Sequence, residues 1–226
     1  MTDRPIIFSG PMVRALLARR KTQTRRLASS PLAKAKRGDR LYVRESARVG
    51  YHRWHHIDGH EHQVSYAADF DESGRALFNP NAHGGDIRKG QAPSAFPNKT
   101  FTRDGSLRWQ PSIHMPRWAS RLTLVVTEVR FEHLQDITEV DAIAEGIERV
   151  APPPGHEDQP CGWESYETYP DGTPHPHAAA PNREARRSYA ELWDMLHGVG
   201  SWDANPELVA LTFTVHACNI DQMETA

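Results

Sequence analysis

The sequence predicts an α+β fold, or a small barrel flanked by helices. Three observations lead there. Five or six runs carry the strand period, two or three carry the helical period, and the two kinds do not strictly alternate. Two further stretches hold no sustained periodicity at all. A chain of 226 residues is long for one domain and short for two, so residues 1–226 are expected to form a single domain with loop-rich insertions at about 50–108 and 150–182.

The elements follow in order. "RPIIF" is a short apolar run that reads as an edge or barrel strand. In "SGPMVRALLARR", Ser9 or Gly10 caps a helix and Pro11 stands near its first position. Met12, Leu16 and Leu17, with Val13 beside them, line one face of that helix. Its end is expected near Arg20, delivering "KTQTRR" at the C-terminus. "RGDRLYVRESA" gives a Gly-Asp turn and then alternating Leu41, Val43 and Glu45, a half-buried strand. The stretch from Gly50 to about Arg108 mixes Gly, Pro, His and scattered aromatics, as an insertion with one or two hairpins would. Order returns in "RLTLVVTEVRFEHL", where Leu122, Leu124, Val126, Val129 and Phe131 mark a long strand, with room for a bulge. Thr138 and Asp141 form a variant capping box for a helix that runs to Glu145 and stops at Gly146. After a second Pro-rich insertion, Tyr189, Leu192, Trp193 and Leu196 recur at helical spacing and Gly198 closes the helix. "NPELVALTFTVHA" looks like a closing strand that buries Val209, Leu211, Phe213 and Val215.

Charge is distributed unevenly. Residues 1–40 hold eleven Lys and Arg against two Asp, in a chain whose net charge is only −2. A basic segment on an acidic body suggests one face that attracts an anion, nucleic acid or nucleotide being the commonest case, or simply a solvated charged surface. No run approaches the roughly 18 apolar residues of a membrane helix, so no membrane partner is expected. "MTDRPIIFSG" has no apolar core behind a basic flank, and Cys161 and Cys218 are too few for a disulfide framework. A cytoplasmic location is expected by default. The oligomeric state is not specified.

"IIFSGPMVRALLARRKTQTRR", "GDRLYVRES", "PSIHMPRWASRLTLVVTEVRFEHLQDITEVDAIAEGI", "WD" and "NPELVALTFTV", in this order, resemble the ASCH-domain proteins, particularly those encoded by phages and prophages. The resemblance covers about half of the chain, essentially all of it outside the two insertions. It implies a PUA-like β-barrel flanked by helices, with a cleft beside the first helix, related to RNA-binding PUA domains. One ASCH enzyme, a small bacterial N4-acetylcytidine amidohydrolase, carries a lysine, a threonine three residues later and a distant glutamate. Those fall on Lys21, Thr24 and Glu145 of this sequence, and no cofactor is implied. Other members are described as ribonucleases. Two positions depart from the pattern. Arg19 stands where relatives usually have glycine, at a cost of about 1 kcal/mol if φ there is positive; the alternative is a longer helix that moves Lys21. Tyr42 replaces a common tryptophan, a change of little consequence because both are aromatic and amphipathic.

The chemistry sets its own conditions. A threonine hydroxyl needs a base to become a nucleophile. A lysine serves as that base only if its pKa falls from about 10.4 towards neutrality. Arg19, Arg20, Arg25 and Arg26 push it down, while Glu145 and a helix C-terminus pull it up, so burial must win. Lys21 and Thr24 share a face in a helical turn and oppose each other in an extended chain; the sequence leaves both open. It leaves open, too, a Thr24 that caps a turn and a Lys21–Glu145 pair that is purely structural.

The remaining candidates are contacts to substrate. Arg25 and Arg26 match phosphate bidentately. Arg44 and Glu45 point to opposite faces of one strand, and one of them should reach the cleft, with Glu45 as a reserve carboxylate or a rim ion pair. His114 and Trp118 in "PSIHMPRW" could hydrogen-bond and stack a base, or Trp118 could plug one end of the barrel. His52, His55, His56, His60 and His62 are irregularly spaced, interrupted by Asp58-Gly59 and joined by no cysteine, so no metal is expected there, nor at "HPH" 175–177. The expected function is hydrolysis of N4-acylated cytidine or a related modified nucleoside. The alternatives are a non-catalytic RNA-binding module and a ribonuclease, so the expected partner is a modified nucleoside or RNA.

Overall fold

Pro11 and the apolar stripe through Leu16 start a helix where the sequence expects one, after a short strand: β1 (Asp3–Ile7) leads into α1 (Gly10–Leu17). The computed structural model describes residues 1–55, 59–69, 87–89, 109–151, 161–166 and 181–223, with the side chains of 48–63 and 87–89 outside that description. The further elements are β2 (Gln23–Leu27), β3 (Arg40–Arg44), β4 (Ala47–His55), β5 (Gly59–Tyr66), β6 (Ile87–Lys89), β7 (Thr123–His133), α2 (Glu139–Ala144), β8 (Arg149–Val150), β9 (Gly162–Trp163), α3 (Ala185–His197) and β10 (Glu207–His216). This is a mixed α+β fold. Its main sheet has five strands in the order β1-β3-β7-β10-β2, mostly open, with β1 and β2 as its edges. Among the described residues no helix is long and apolar enough to cross a membrane.

The chain divides into two compact units. The first comprises residues 1–17, 38–125 and 214–226. In it β1 runs parallel to β3, and β3 antiparallel to the start of β7. Leu41, Val43 and Glu45 are buried in alternation, as their spacing predicts. The described part of the first insertion contains the β4–β5 hairpin, with β6 added to make a three-stranded sheet. Ala47, Val64, Tyr66, Met115 and Ala119 form a core cluster beneath it.

The second unit comprises residues 18–37 and 126–213. Here β10 pairs antiparallel with β2 from Leu208↔Leu27 to Thr212↔Gln23. Both faces of this strand are covered over 208–211, since Leu208 and Ala210 are buried along with Val209, Leu211 and Phe213. The expectation of one buried face on β10 is corrected accordingly, and Val215 is only half-buried. The capping box at Thr138 and Asp141 is present, and Gly146 ends α2 with φ of 96°, a conformation costly for any other residue. Gly198 closes α3 in the same way. Tyr189, Leu192 and Trp193 are buried on α3, but Leu196 lies past the packed face and is exposed. Phe131, near the end of β7, is exposed as well. The second insertion contributes the β8–β9 pair, and the rest of both insertions lies outside the described residues.

One local expectation resolves in favour of strain. Helix α1 stops at Leu17 rather than near Arg20, and Arg19 takes a φ of 57°. The residue type is unsuited to that turn, and the turn forms nonetheless.

Candidate functional site: a buried lysine in an ion cluster

The site is assembled in the second unit, where the basic segment meets the end of α2. The last carbonyls of a short helix have no intrahelical partner and carry partial negative charge. Two donors from the segment meet them: Thr22 N–H donates to Ala144 O at 2.8 Å, and Lys21 Nζ donates to Glu145 O at 2.7 Å. Phe213 N–H donates to Thr22 O from the other side at 2.9 Å. This splicing carries the Lys21 side chain inward, where it is 2% exposed. Its amine also donates to Glu145 Oε2 at 2.7 Å.

β2 then sorts its side chains by alternation. Arg25 is fully enclosed. Its Nε donates to Glu132 Oε1 at 2.7 Å, one terminal nitrogen donates to Glu145 Oε1 at 3.1 Å and to Gln23 Oε1 at 3.3 Å, and the other lies 3.4 Å from Asp141 Oδ2. Arg130 adds a further cation, 3.2 Å from Asp141 Oδ1. Burial opposes the Asp141 charge, yet hydrogen bonds from Thr138, Gln23 and Arg130 and the charge of Arg25 hold its carboxyl at about 2. Arg26 runs the other way. One of its terminal nitrogens donates to Thr24 Oγ1 and to Arg25 O, each at 2.8 Å.

Electrostatics decide what the lysine can do. Burial lowers the Lys21 pKa, the charge and hydrogen bond of Glu145 raise it, and Arg26 and Arg25 lower it again; the net direction is down. Burial also opposes the charge of Arg25, but Glu145, Tyr189 and Glu132 outweigh it and that guanidinium holds its proton more firmly than usual. Tyr189 on α3 is pushed well above the usual phenol range, first by burial and then by Glu145, so it stays neutral. The arrangement thus offers an amine that holds its proton less firmly than an ordinary lysine, a carboxylate on it, and a buried hydroxyl hydrogen-bonded by a guanidinium whose charge acts on the same amine.

The sequence-derived candidates fare unequally. Lys21 and Glu145 come together, while Thr24, fully buried, is hydrogen-bonded by Arg26, whose charge acts on Lys21. A helical turn is not the means, because residues 23–27 are extended. Arg25, expected as a contact to an external anion, is corrected: its guanidinium is spent on three protein carboxylates. Arg44, Glu45, His114 and Trp118 belong to the first unit. Arg44 donates to Met115 O at 2.7 Å and Ile113 O at 2.6 Å, tying the end of β3 to a segment about 70 residues away in sequence. Glu45 is buried as the bidentate partner of Arg121, at 2.9 and 3.0 Å, and that arginine also grips Asp69. Glu45 thus stands as an ion-pair residue of the unit, one of the two roles expected for it. Trp118, half-buried, packs against the Ala47–Tyr66–Met115 cluster, and His114 is exposed. The side chains of the histidines at 52–62 and residues 175–177 lie outside the described residues. Among the described residues no group of His, Cys, Asp and Glu could hold a metal ion.

Sequence reasoning did not single out Glu132, Asp69 and Arg121. Glu132 alternates with Phe131 on a strand, but nothing local ties it to Arg25, 107 residues away. Comparison with family models, with curated proteins and with solved structures gives no match for this chain.

Proposed function

We propose that the chain is an ASCH-like amidohydrolase that removes the acyl group from N4-acylated cytidine or a related modified nucleoside, its sheet and helices being the counterpart of a small PUA-like barrel. One observation carries this reading: a lysine that is 2% exposed, paired with Glu145 at 2.7 Å and lowered in pKa, in the same cluster as a buried threonine. Neutral Lys21 takes the proton of Thr24 Oγ1 as that oxygen bonds to the acyl carbon. The oxyanion that develops is stabilised by the Arg26 guanidinium, already within hydrogen-bond distance of Thr24 Oγ1. The carbon–N4 bond then breaks, and the lysine returns its proton to the leaving amine. Water hydrolyses the threonyl ester to release the carboxylic acid, and Glu145 keeps the amine oriented through both steps. Incubation of the purified protein with N4-acetylcytidine should yield cytidine and acetate, and Lys21→Ala and Thr24→Ala should each remove turnover. Wild-type turnover that is absent, or that survives Lys21→Ala, refutes the mechanism.

A second reading, binding of RNA without chemistry, has its own support. Arg19, Arg20 and Arg37 of the basic segment are exposed, unlike Lys21 and Arg25. That reading requires single-stranded RNA affinity that falls by about 0.7 log units per log unit of salt for each phosphate neutralised. Cleavage of the RNA that depends on a divalent ion would instead favour a ribonuclease.

A further inference from the structure

Glu145 stands where a helix least favours a carboxylate. It is the C-cap of α2, beside carbonyls that carry partial negative charge, and it is 4% exposed. Asp141 lies one turn earlier on the same helix, so two like charges stand at i and i+4. Both placements break the local rules for a helix, and such breaks concentrate at functional sites.

Arg25 answers both. One of its terminal nitrogens donates to Glu145 Oε1 at 3.1 Å and the other lies 3.4 Å from Asp141 Oδ2, so a single guanidinium spans one turn of α2. Its Nε donates to Glu132 Oε1 at 2.7 Å, which holds the planar group against β7 as well. Glu145 is left with Oε2, and that oxygen accepts from Lys21 Nζ at 2.7 Å. The contacts therefore run Glu132, Arg25, Glu145, Lys21, each joined to the next at 3.1 Å or less. Other charges border this chain. Arg130 lies 3.6 Å from Glu132 Oε2 and 3.2 Å from Asp141 Oδ1. Arg26 acts on Lys21 by charge, Tyr189 of α3 stays neutral, and Arg20 lies 3.4 Å from the exposed Glu148.

We infer that Arg25 is a positioning residue of the proposed hydrolysis: it acts through Glu145, holding one carboxylate oxygen so that the other directs the Lys21 amine, while Glu132 offsets its charge from behind. The inference rests on the amidohydrolase reading for the reaction, and on the chain of contacts alone for the link between Arg25 and the amine. Its two ends have consequences of opposite sign. Loss of the Arg25 charge leaves Glu145 wholly to Lys21, and the amine then holds its proton more firmly. Loss of the Glu132 charge leaves Arg25 less compensated beside Glu145, and the amine holds its proton less firmly.

The test compares the full chain with Arg25→Gln, Arg25→Lys and Glu132→Gln by two readouts. The first is kcat/KM for N4-acetylcytidine against pH, which rises as the amine that serves as base loses its proton. The second follows the Lys21 side-chain signals against pH by NMR of isotopically labelled lysine, with Lys21→Met to assign them, and needs no turnover. Arg25→Gln should move both midpoints to higher pH and lower kcat/KM roughly tenfold at a fixed pH on the rising limb. Arg25→Lys restores the charge without the fork and should recover most of that loss. Glu132→Gln is nearly isosteric and should move both midpoints to lower pH; if Arg25→Gln does not fold, this variant decides alone. A residue that only holds the fold together would lower stability and leave the midpoints in place. Midpoints that stay, that move the same way in Arg25→Gln and Glu132→Gln, or that Arg25→Lys does not restore, overturn the inference. Turnover with unmoved midpoints leaves the hydrolase and removes the positioning role. Lys21 signals that shift in opposite directions in a protein without turnover remove the hydrolase and leave the link between Arg25 and the amine.

Discussion

Lys21 is worth following as a single residue because its two states differ in proton affinity in a direction that can be measured. In the folded chain burial holds its pKa below the ordinary value, and in the unfolded chain it returns to about 10.4. Between those two values the unfolded chain binds more protons, and stability rises with pH wherever that holds. The wild type should therefore gain stability relative to Lys21→Met as pH climbs through the alkaline range towards about 10.4. Urea midpoints of the two proteins across that range check it, and a difference that is flat or falls with pH would mean the amine keeps its proton when buried. Activity has the same origin: kcat/KM should rise along a one-proton alkaline limb whose midpoint lies below the usual lysine value. Glu145→Gln removes the charge that raises the amine's pKa, so it should move that limb to lower pH. The same substitution deprives Arg25 of a carboxylate and should cost about 3–5 kcal/mol in denaturant unfolding. Lys21→Met leaves Glu145 paired with Arg25 and should cost less than Glu145→Gln when the two are compared side by side.

At the scale of elements, the turn between α1 and β2 is where sequence and backbone disagree. Arg19 adopts a left-handed φ of 57° although its side chain is exposed and makes the turn no easier. The turn persists because Lys21 and Thr22 are fixed by the end of α2 and by β10, which leaves the chain three residues, 18–20, in which to reverse. Arg19→Gly should raise stability by about 1 kcal/mol, and Arg19→Val should lower it by a similar amount; thermal or urea unfolding of the pair reads both. Signals of this local kind were the legible ones. Thr138 with Asp141, Gly146, Gly198 and the Tyr189–Trp193 stripe announce themselves within a few residues, and the structure has them all. Burial on both faces of β10 was illegible, since it depends on what packs over each face of the sheet. So was the fate of the arginines. Arg25 and Arg26 are adjacent and alike in sequence, yet one is consumed by carboxylates 107 to 120 residues away while the other turns to Thr24. No periodicity encodes a partner at such a distance.

For the whole molecule, the order in which the chain visits its two units carries a consequence. It leaves the first unit after residue 17, returns after 37, leaves again after 125 and comes back after 213. The second unit is thus built from a short basic segment, residues 18–37, and a longer segment, 126–213, that brings Glu132, Asp141 and Glu145. Without the short segment, Glu145 loses the Lys21 and Arg25 cations and β10 loses the whole of its pairing with β2. A buried carboxylate stripped of its partner costs several kcal/mol, against a total stability of about 5–15 kcal/mol for a domain. A fragment spanning residues 126–213 should therefore show no cooperative unfolding by circular dichroism. Addition of a peptide spanning 18–37 should restore it, with a saturable dependence on peptide concentration. The same peptide with Lys21→Ala and Arg25→Ala should fail, because strand pairing alone leaves the carboxylates uncompensated. A fragment that folds cooperatively by itself would show that the longer segment needs neither the pairing nor the charges, and one that accepts the doubly substituted peptide equally well would show that strand pairing rather than charge holds the basic segment in place.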